Sequence, residues 1–344
     1  MGIDAVDLRE DEIDITPWLP LLCDGAAHNF TIGVSGLNDN GGNGTATLSG
    51  TTDSYWLVTG KIFIWLDAPG HVTTGTGPDK AVDTPYFQVS SLVGTGVNGT
   101  NDTLVYKVNA QRALELESTV NFSHGKKSVS WRQSLAYSNA GDYTDGGNVE
   151  VNNQQTTGYD ISSSGYSKHL SYPLYAYSAY AVIADNISII AEVNRGKDIV
   201  TIGQSVFPTG LEAFSSATAI RPAYKSFQGA SLSTTQNGNA TYLANETSST
   251  SFSFGSTTQD MTFSGITYGV QRNTQGFPLI DGSRELFTRH VVAENGTVVE
   301  DDETLVTTAV KHDHGGPGNP KGFSIDRAPG RGSNWHGFGQ RRKA

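Results

Sequence analysis

Seven carboxylates stand where the apolar pattern of the chain ends or is interrupted: Asp14, Asp24, Asp67, Glu115, Glu117, Glu192 and Glu285. Two carboxyl groups with an arginine or backbone N–H donors nearby can activate water, hold a developing oxyanion and protonate a leaving group. At acidic pH one of the two can keep its proton and act as the acid. Asp67 is the favoured candidate, because it follows Trp65-Leu66 at a predicted strand end, where connecting loops carry function. Glu192 and Arg195 form a second candidate pair, for which a structural ion pair at a strand end is the first expectation. Glu115 and Glu117 would project from one strand face opposite Leu114 and Leu116, as solvated residues do. Tyr55, Trp56 and Trp65 are candidates for binding, since an aromatic face is an apolar platform that suits a sugar ring. Buried core is the competing reading for all three.

Other chemistries find little support. His312-Asp313-His314 has no third ligand, so no metal and no cofactor is expected. Cys23 is the single cysteine, and His28 five residues on does not make it a nucleophile; a buried free thiol is expected. No Gly-X-Ser-X-Gly elbow, phosphate loop or dinucleotide fingerprint occurs.

The elements that must position these groups read as strands. Ser54–Asp67 is the densest apolar and β-branched run, with large side chains on both faces, which predicts a strand covered on both sides. Before it, residues 12–16 alternate as a strand with Ile13 and Ile15 inward and Asp14 outward. Thr16-Pro17 resembles a helix start, Trp18–Leu22 a single helical turn, and His28–Val34 a second strand. The Gly, Thr and Pro content of residues 68–85 predicts connecting chain. Beyond Pro85, strand signals recur at 86–92, 103–109, 113–122, 128–137, 149–155, 158–163, 172–182, 187–193, 231–243, 249–262, 284–292 and 297–308.

This spacing predicts an all-β fold, β-sandwich or jelly-roll-like, in two β-rich parts. Residues 1–70 would be the rear part of a first domain, 71–85 a linker and 86–310 a second domain. Residues 311–344 are basic and poor in apolar groups, which predicts a disordered tail. The composition agrees: charged residues are only 17% and glycines number 40, which suits short strands and turns over long helices. A net charge of −11 argues against nucleic acid or anionic membrane as partner. No apolar run approaches a membrane span. Nine Asn-X-Ser/Thr triplets, at Asn29, Asn43, Asn98, Asn101, Asn121, Asn186, Asn239, Asn245 and Asn295, favour a secreted or secretory-pathway protein, although the first residues carry no signal peptide.

Ser-Tyr-Trp-Leu-Val-Thr-Gly-Lys-Ile-Phe-Ile-Trp-Leu-Asp, residues 54–67, resembles a signature of the fungal and plant peptide N-glycosidase A family. The segment from Glu12 to Phe30 resembles what precedes it in that family, and Tyr172-Pro-Leu, Val193-Asn-Arg-Gly-Lys197 and Arg289–Val299 resemble later blocks in order. The resemblance spans about Asp11 to Leu305. It implies cofactor-free hydrolysis of the amide between N-glycan and asparagine, with N-glycosylated peptides or proteins as partners. It further implies that this chain is the rear portion of a longer protein, weakly active or inactive as written. The alternative is a non-catalytic carbohydrate-binding or cell-surface β-sandwich.

Overall fold

The computed structural model describes residues 12–39, 44–52, 59–83, 85–203, 211, 227–245 and 247–305. The expected tail at 311–344 lies outside them, as do Tyr55 and Trp56. The all-β class holds. The helical elements are short: a 3-10 turn at Thr16–Trp18, helix α1 (Leu19–Leu22) and a second 3-10 turn at Asp145–Gly147.

The strands are β1 (Leu37–Asn38), β2 (Gly44–Thr45), β3 (Thr47–Leu48), β4 (Thr74–Val82), β5 (Tyr86–Thr95), β6 (Asn101–Phe122) and β7 (Gly125–Thr144). They continue with β8 (Val149–Ser162), β9 (Ser167–Ile183), β10 (Asn186–Ile202), β11 (Gly229–Asn245), β12 (Thr250–Arg272), β13 (Pro278–Glu294) and β14 (Thr297–Leu305). Apart from a β1–β3 ribbon they make one sheet of 12 strands, ordered β14-β13-β12-β11-β10-β9-β8-β7-β6-β5-β2, with β4 also on β6. From β5 to β14, chain neighbours are sheet neighbours. The connectivity is a meander, not the crossed-over order of a jelly roll.

Tight turns enforce this order. Ser123-His124, Ala184-Asp185 and Asn295-Gly296 are two-residue loops closing the β6–β7, β9–β10 and β13–β14 hairpins. Asn295 (φ 48) and Gly296 (φ 78) both lie in the left-handed region, as a hairpin turn matched to strand twist requires. A two-residue loop leaves the next strand no route except back along its predecessor. The strands outrun the sequence signals: 103–109 and 113–122 fuse into the 22 residues of β6, and 149–155 and 158–163 fuse into β8. The intervening Ala110-Gln111-Arg112 pairs in register with Leu135-Ala136-Tyr137 and so does not turn.

Three expectations near the start of the chain are corrected. Residues 59–67 form no strand, and Ile62, Phe63, Ile64, Trp65 and Leu66 are all exposed, Leu66 at 89%. Apolar side chains on both faces therefore do not mark a covered strand here. The stretch read as connecting chain holds β4, hydrogen-bonded to β6. His28–Val34 has no strand, and Phe30 and Ile32 are exposed.

The core gathers towards one end of the long strands. Leu116, Trp131 and Tyr166 form one buried cluster, with Trp18 and Leu114 packed on it. Ile202, Ile266 and Phe277 form a second, and Leu211, Ala230 and Leu286 a third. Trp131 is fully buried and stacks on Tyr166 with ring centroids 6.1 Å apart. Pro17 is buried against β6, where Ser118 Oγ donates to the Pro17 carbonyl.

Candidate functional site

Of the residues chosen from sequence, Asp67 has the fullest set of partners. Its Oδ2 accepts the Ser123 N–H at 2.8 Å and the Thr73 hydroxyl at 3.2 Å; its Oδ1 accepts the Ala68 N–H at 2.8 Å and the Ser123 hydroxyl. The Ser123 hydroxyl, then the Ser123 N–H and the further donors, hold this carboxyl well below the usual carboxylate range. It is filled with donors that tie the 67–73 loop to the β6–β7 turn. A carboxyl held ionised in this way is poorly suited to donate a proton.

Glu192 and Arg195 lie within β10, not at its end, and three-residue spacing along a strand turns them to opposite faces. Glu192 Oε1 accepts from Asn194 Nδ2 at 2.8 Å, while Arg195 Nε donates to Gln236 Oε1 at 2.7 Å. The spacing that suggested an ion pair separates the two groups instead. Trp65 is 68% exposed. Cys23 is a half-buried free thiol, and His28 Nε2 bonds Asp24 Oδ1 at 2.9 Å.

The structure collects a different set of polar groups. The segment before the first turn lies on the sheet with the reverse of the expected facing: Asp14 is buried and Ile13 exposed. Asp14 turns inward because partners await it there. Its Oδ2 accepts the Ser162 hydroxyl at 2.5 Å, and its Oδ1 accepts the Thr16 N–H at 2.9 Å and the Thr16 hydroxyl at 2.5 Å. Asp14 thus accepts the N–H two residues on, as an Asx turn leading into the first helical turn, whose N-cap is Ile15 without a side-chain bond.

Two residues earlier, Glu12 Oε2 accepts from Lys168 Nζ at 2.8 Å and from the Tyr166 hydroxyl at 3.4 Å. The Lys168 side chain is 5% exposed and that of Glu12 40%, so the carboxylate forms the solvent-facing lip of a buried cation. Lys168 stands directly opposite Asp160 in the β8–β9 ladder, and Asp160 opposite Gln133 in the β7–β8 ladder. Gln133 Nε2 donates to Asp160 Oδ1 at 2.9 Å, and Arg112 Nη2 donates to Gln133 Oε1. Asp160, Lys168, Gln133 and Ser162 are all buried. Buried charge is retained only where paired and hydrogen-bonded, and this network meets that condition.

Chemically, the network offers an accessible carboxylate able to take a proton from water, with an ammonium and a phenol beside it to meet developing negative charge. Sequence reasoning chose Asp14 but missed Glu12 and Lys168. Glu12 lies in the family-like segment, which is the signal that could have found it; Lys168 has none, since its partners come from elsewhere in the chain.

The two halves of the network come from two regions that match known families. Residues 1–81 match the family described as Peptide N-acetyl-beta-D-glucosaminyl asparaginase amidase A, and residues 105–174 match the PNGase_A C-terminal domain. A curated relative, the peptide-N4-(N-acetyl-beta-glucosaminyl)asparagine amidase A of Prunus dulcis, is 28% identical over 189 residues, covering 52% of this chain and 29% of that protein. The chain therefore spans less than a third of the length of this relative. No solved structure matches. Two stretches of the chain, in order, are thus similar to the two domains of peptide N-glycosidase A proteins.

Proposed function

We propose that the chain is a hydrolase of the N-glycan–asparagine amide, acting on glycopeptides without a cofactor, and that the Glu12–Lys168–Tyr166 network is its reacting centre. One observation carries the reading: Glu12 and Asp14 from one family-matched stretch meet Ser162, Tyr166 and Lys168 from the other. In this reading the exposed edge of Glu12 takes a proton from water as the water oxygen bonds to the amide carbon. Lys168 and Tyr166 face the resulting oxyanion and supply the proton to the departing glycosylamine. The products are an aspartate peptide and a glycosylamine, and atoms balance with one water consumed. Secretion and the substrate's glycan structure belong to the same proposal, the former supported by the nine glycosylation triplets.

The test is mass spectrometry of a defined glycopeptide incubated with the full chain at mildly acidic pH. Asparagine-to-aspartate conversion, lost by about a hundredfold or more in Glu12→Gln and Lys168→Met, is expected. Conversion that survives both substitutions moves the reacting centre elsewhere. No conversion by the parent chain sinks the hydrolytic reading.

A further inference from the structure

On the face of the sheet opposite the Glu12–Lys168 network lies an open groove of about 530 Å³. Its axis follows one row of directly opposed residues across six strands: Lys107, Ala140, Asn153, Tyr175, Asn194 and Asn237. Opposed residues share a face, and neighbouring strands are about 4.8 Å apart. The row therefore sets three amides and a phenol ring at regular steps along a line across the strands. Beside it Gly196 has no side chain, and the Pro173 ring lies over it, so that a Cβ there would come within 2.8 Å of Pro173 Cγ. Thr235, opposite Gly196, also lines the groove and is exposed.

The polar groups of this row are short of partners. Asn194 is held by Glu192 Oε1 at 2.8 Å, which fixes its amide and leaves its carbonyl free to accept. The side chains of Asn153, Asn237 and Tyr175 make no hydrogen bond to any described residue. Elsewhere on the sheet comparable groups are satisfied: the Tyr106 hydroxyl, for example, donates to Asn152 Oδ1 at 2.7 Å on the other face. Unpaired amides can donate and accept at once, as vicinal hydroxyls can, and they carry no charge. A half-buried tyrosine ring among them supplies the apolar platform that a pyranose face needs. Lys107 stands at one end, Arg195 also lines the groove but belongs to the opposite strand face, and the chain carries net charge −11, so an anionic polymer is a poor match.

We propose that this groove is a binding site for a neutral linear oligosaccharide lying across strands β6 to β11, with Asn153, Asn194 and Asn237 bonding successive sugar hydroxyls and Tyr175 packing against a ring face. The site does not depend on the hydrolytic reading, because binding is measured without turnover.

The experiment uses the full chain and four neutral probes, maltohexaose, cellohexaose, chitohexaose and mannohexaose, with heparin as the anionic comparison. Titration calorimetry on the parent is compared with Asn153→Ala, Asn237→Ala and Thr235→Trp, the last placing an indole in the groove from an exposed position. Saturable binding of at least one neutral probe is expected. It should weaken by about fivefold in each alanine variant, as for loss of one net hydrogen bond, and be abolished in Thr235→Trp, with unchanged thermal melting in all three. Glu12→Gln should bind like the parent, so a chain without turnover that still binds upholds the groove. Failure of every neutral probe, equal binding by the three groove variants, or preference for heparin would overturn the proposal.

Discussion

Replacing Trp131 by alanine removes the contact on which both family-matched regions rest. Its side chain is fully buried between Leu116 and Tyr166, and Trp18 from the first region packs on the same cluster. A buried tryptophan withdraws about 150–250 Å² from water, worth roughly 4–6 kcal/mol at about 25 cal/mol per Å². A compact unfolded state lowers this by about 10–40%, to roughly 3–5 kcal/mol, which agrees with tryptophan-to-alanine changes in cores generally. For an ordered body of this size each kcal/mol moves Tm by about 2–4 °C, so Trp131→Ala should melt about 10 °C lower by calorimetry. The same change should release the first turn, and limited proteolysis should then cut near residues 19–24. Trp131→Phe separates area from polarity. Trp131 Nε1 is buried without a hydrogen-bond partner, so phenylalanine discards an unsatisfied donor along with some area and should cost only about 1 kcal/mol. A fall in Tm of less than about 3 °C in Trp131→Ala, or equal losses in both variants, would refute this account of the cluster.

Asp67→Asn should free the 67–73 loop from the β6–β7 turn, seen as faster hydrogen exchange at the Ser123 amide. Because donors depress the Asp67 pKa, the clamp is complete above the ordinary carboxylate pKa of about 3.9 and is lost only as pH falls through the lower folded value; the parent amide should therefore stay protected at mildly acidic pH. His290 behaves oppositely: its bond to Asp260 at 2.6 Å raises its pKa, helped by Glu300 and Asp302. The contribution of that pair is full below about pH 6.5 and fades as pH climbs through the raised value, so NMR titration of His290 should show its midpoint fall in Asp260→Asn. The exposed run Ile62–Leu66 should bind an apolar dye and promote association of the chain; Phe63→Asp with Trp65→Asp should reduce both without lowering Tm, and unchanged dye binding would place the patch elsewhere.

What the sequence determined by itself was local. Alternation of apolar and polar residues marked the strands from Tyr86 onwards, because period-2 patterning acts over a few positions. The resemblance carried by residues 54–67 led to the family whose models match residues 1–81 and 105–174. Facing and register belonged to the tertiary structure. Asp14 and Ile13 exchange their expected sides because Ser162, some 150 positions away, presents a hydroxyl to the first and nothing covers the second. Residues 59–67 have every local feature of a buried strand yet lack a pairing partner among the described residues, since a strand is completed only by hydrogen bonds from another segment. Glu192 and Arg195 are close in sequence but face opposite sides of the sheet, whereas Lys168 and Glu12, 156 positions apart, meet at 2.8 Å. The amides of Asn153, Asn194 and Asn237 look like scattered polar residues in the chain. Only the pairing of four strands, β8 to β11, sets them in one row, because which residue stands opposite which is decided by the lengths of all the intervening strands and turns together.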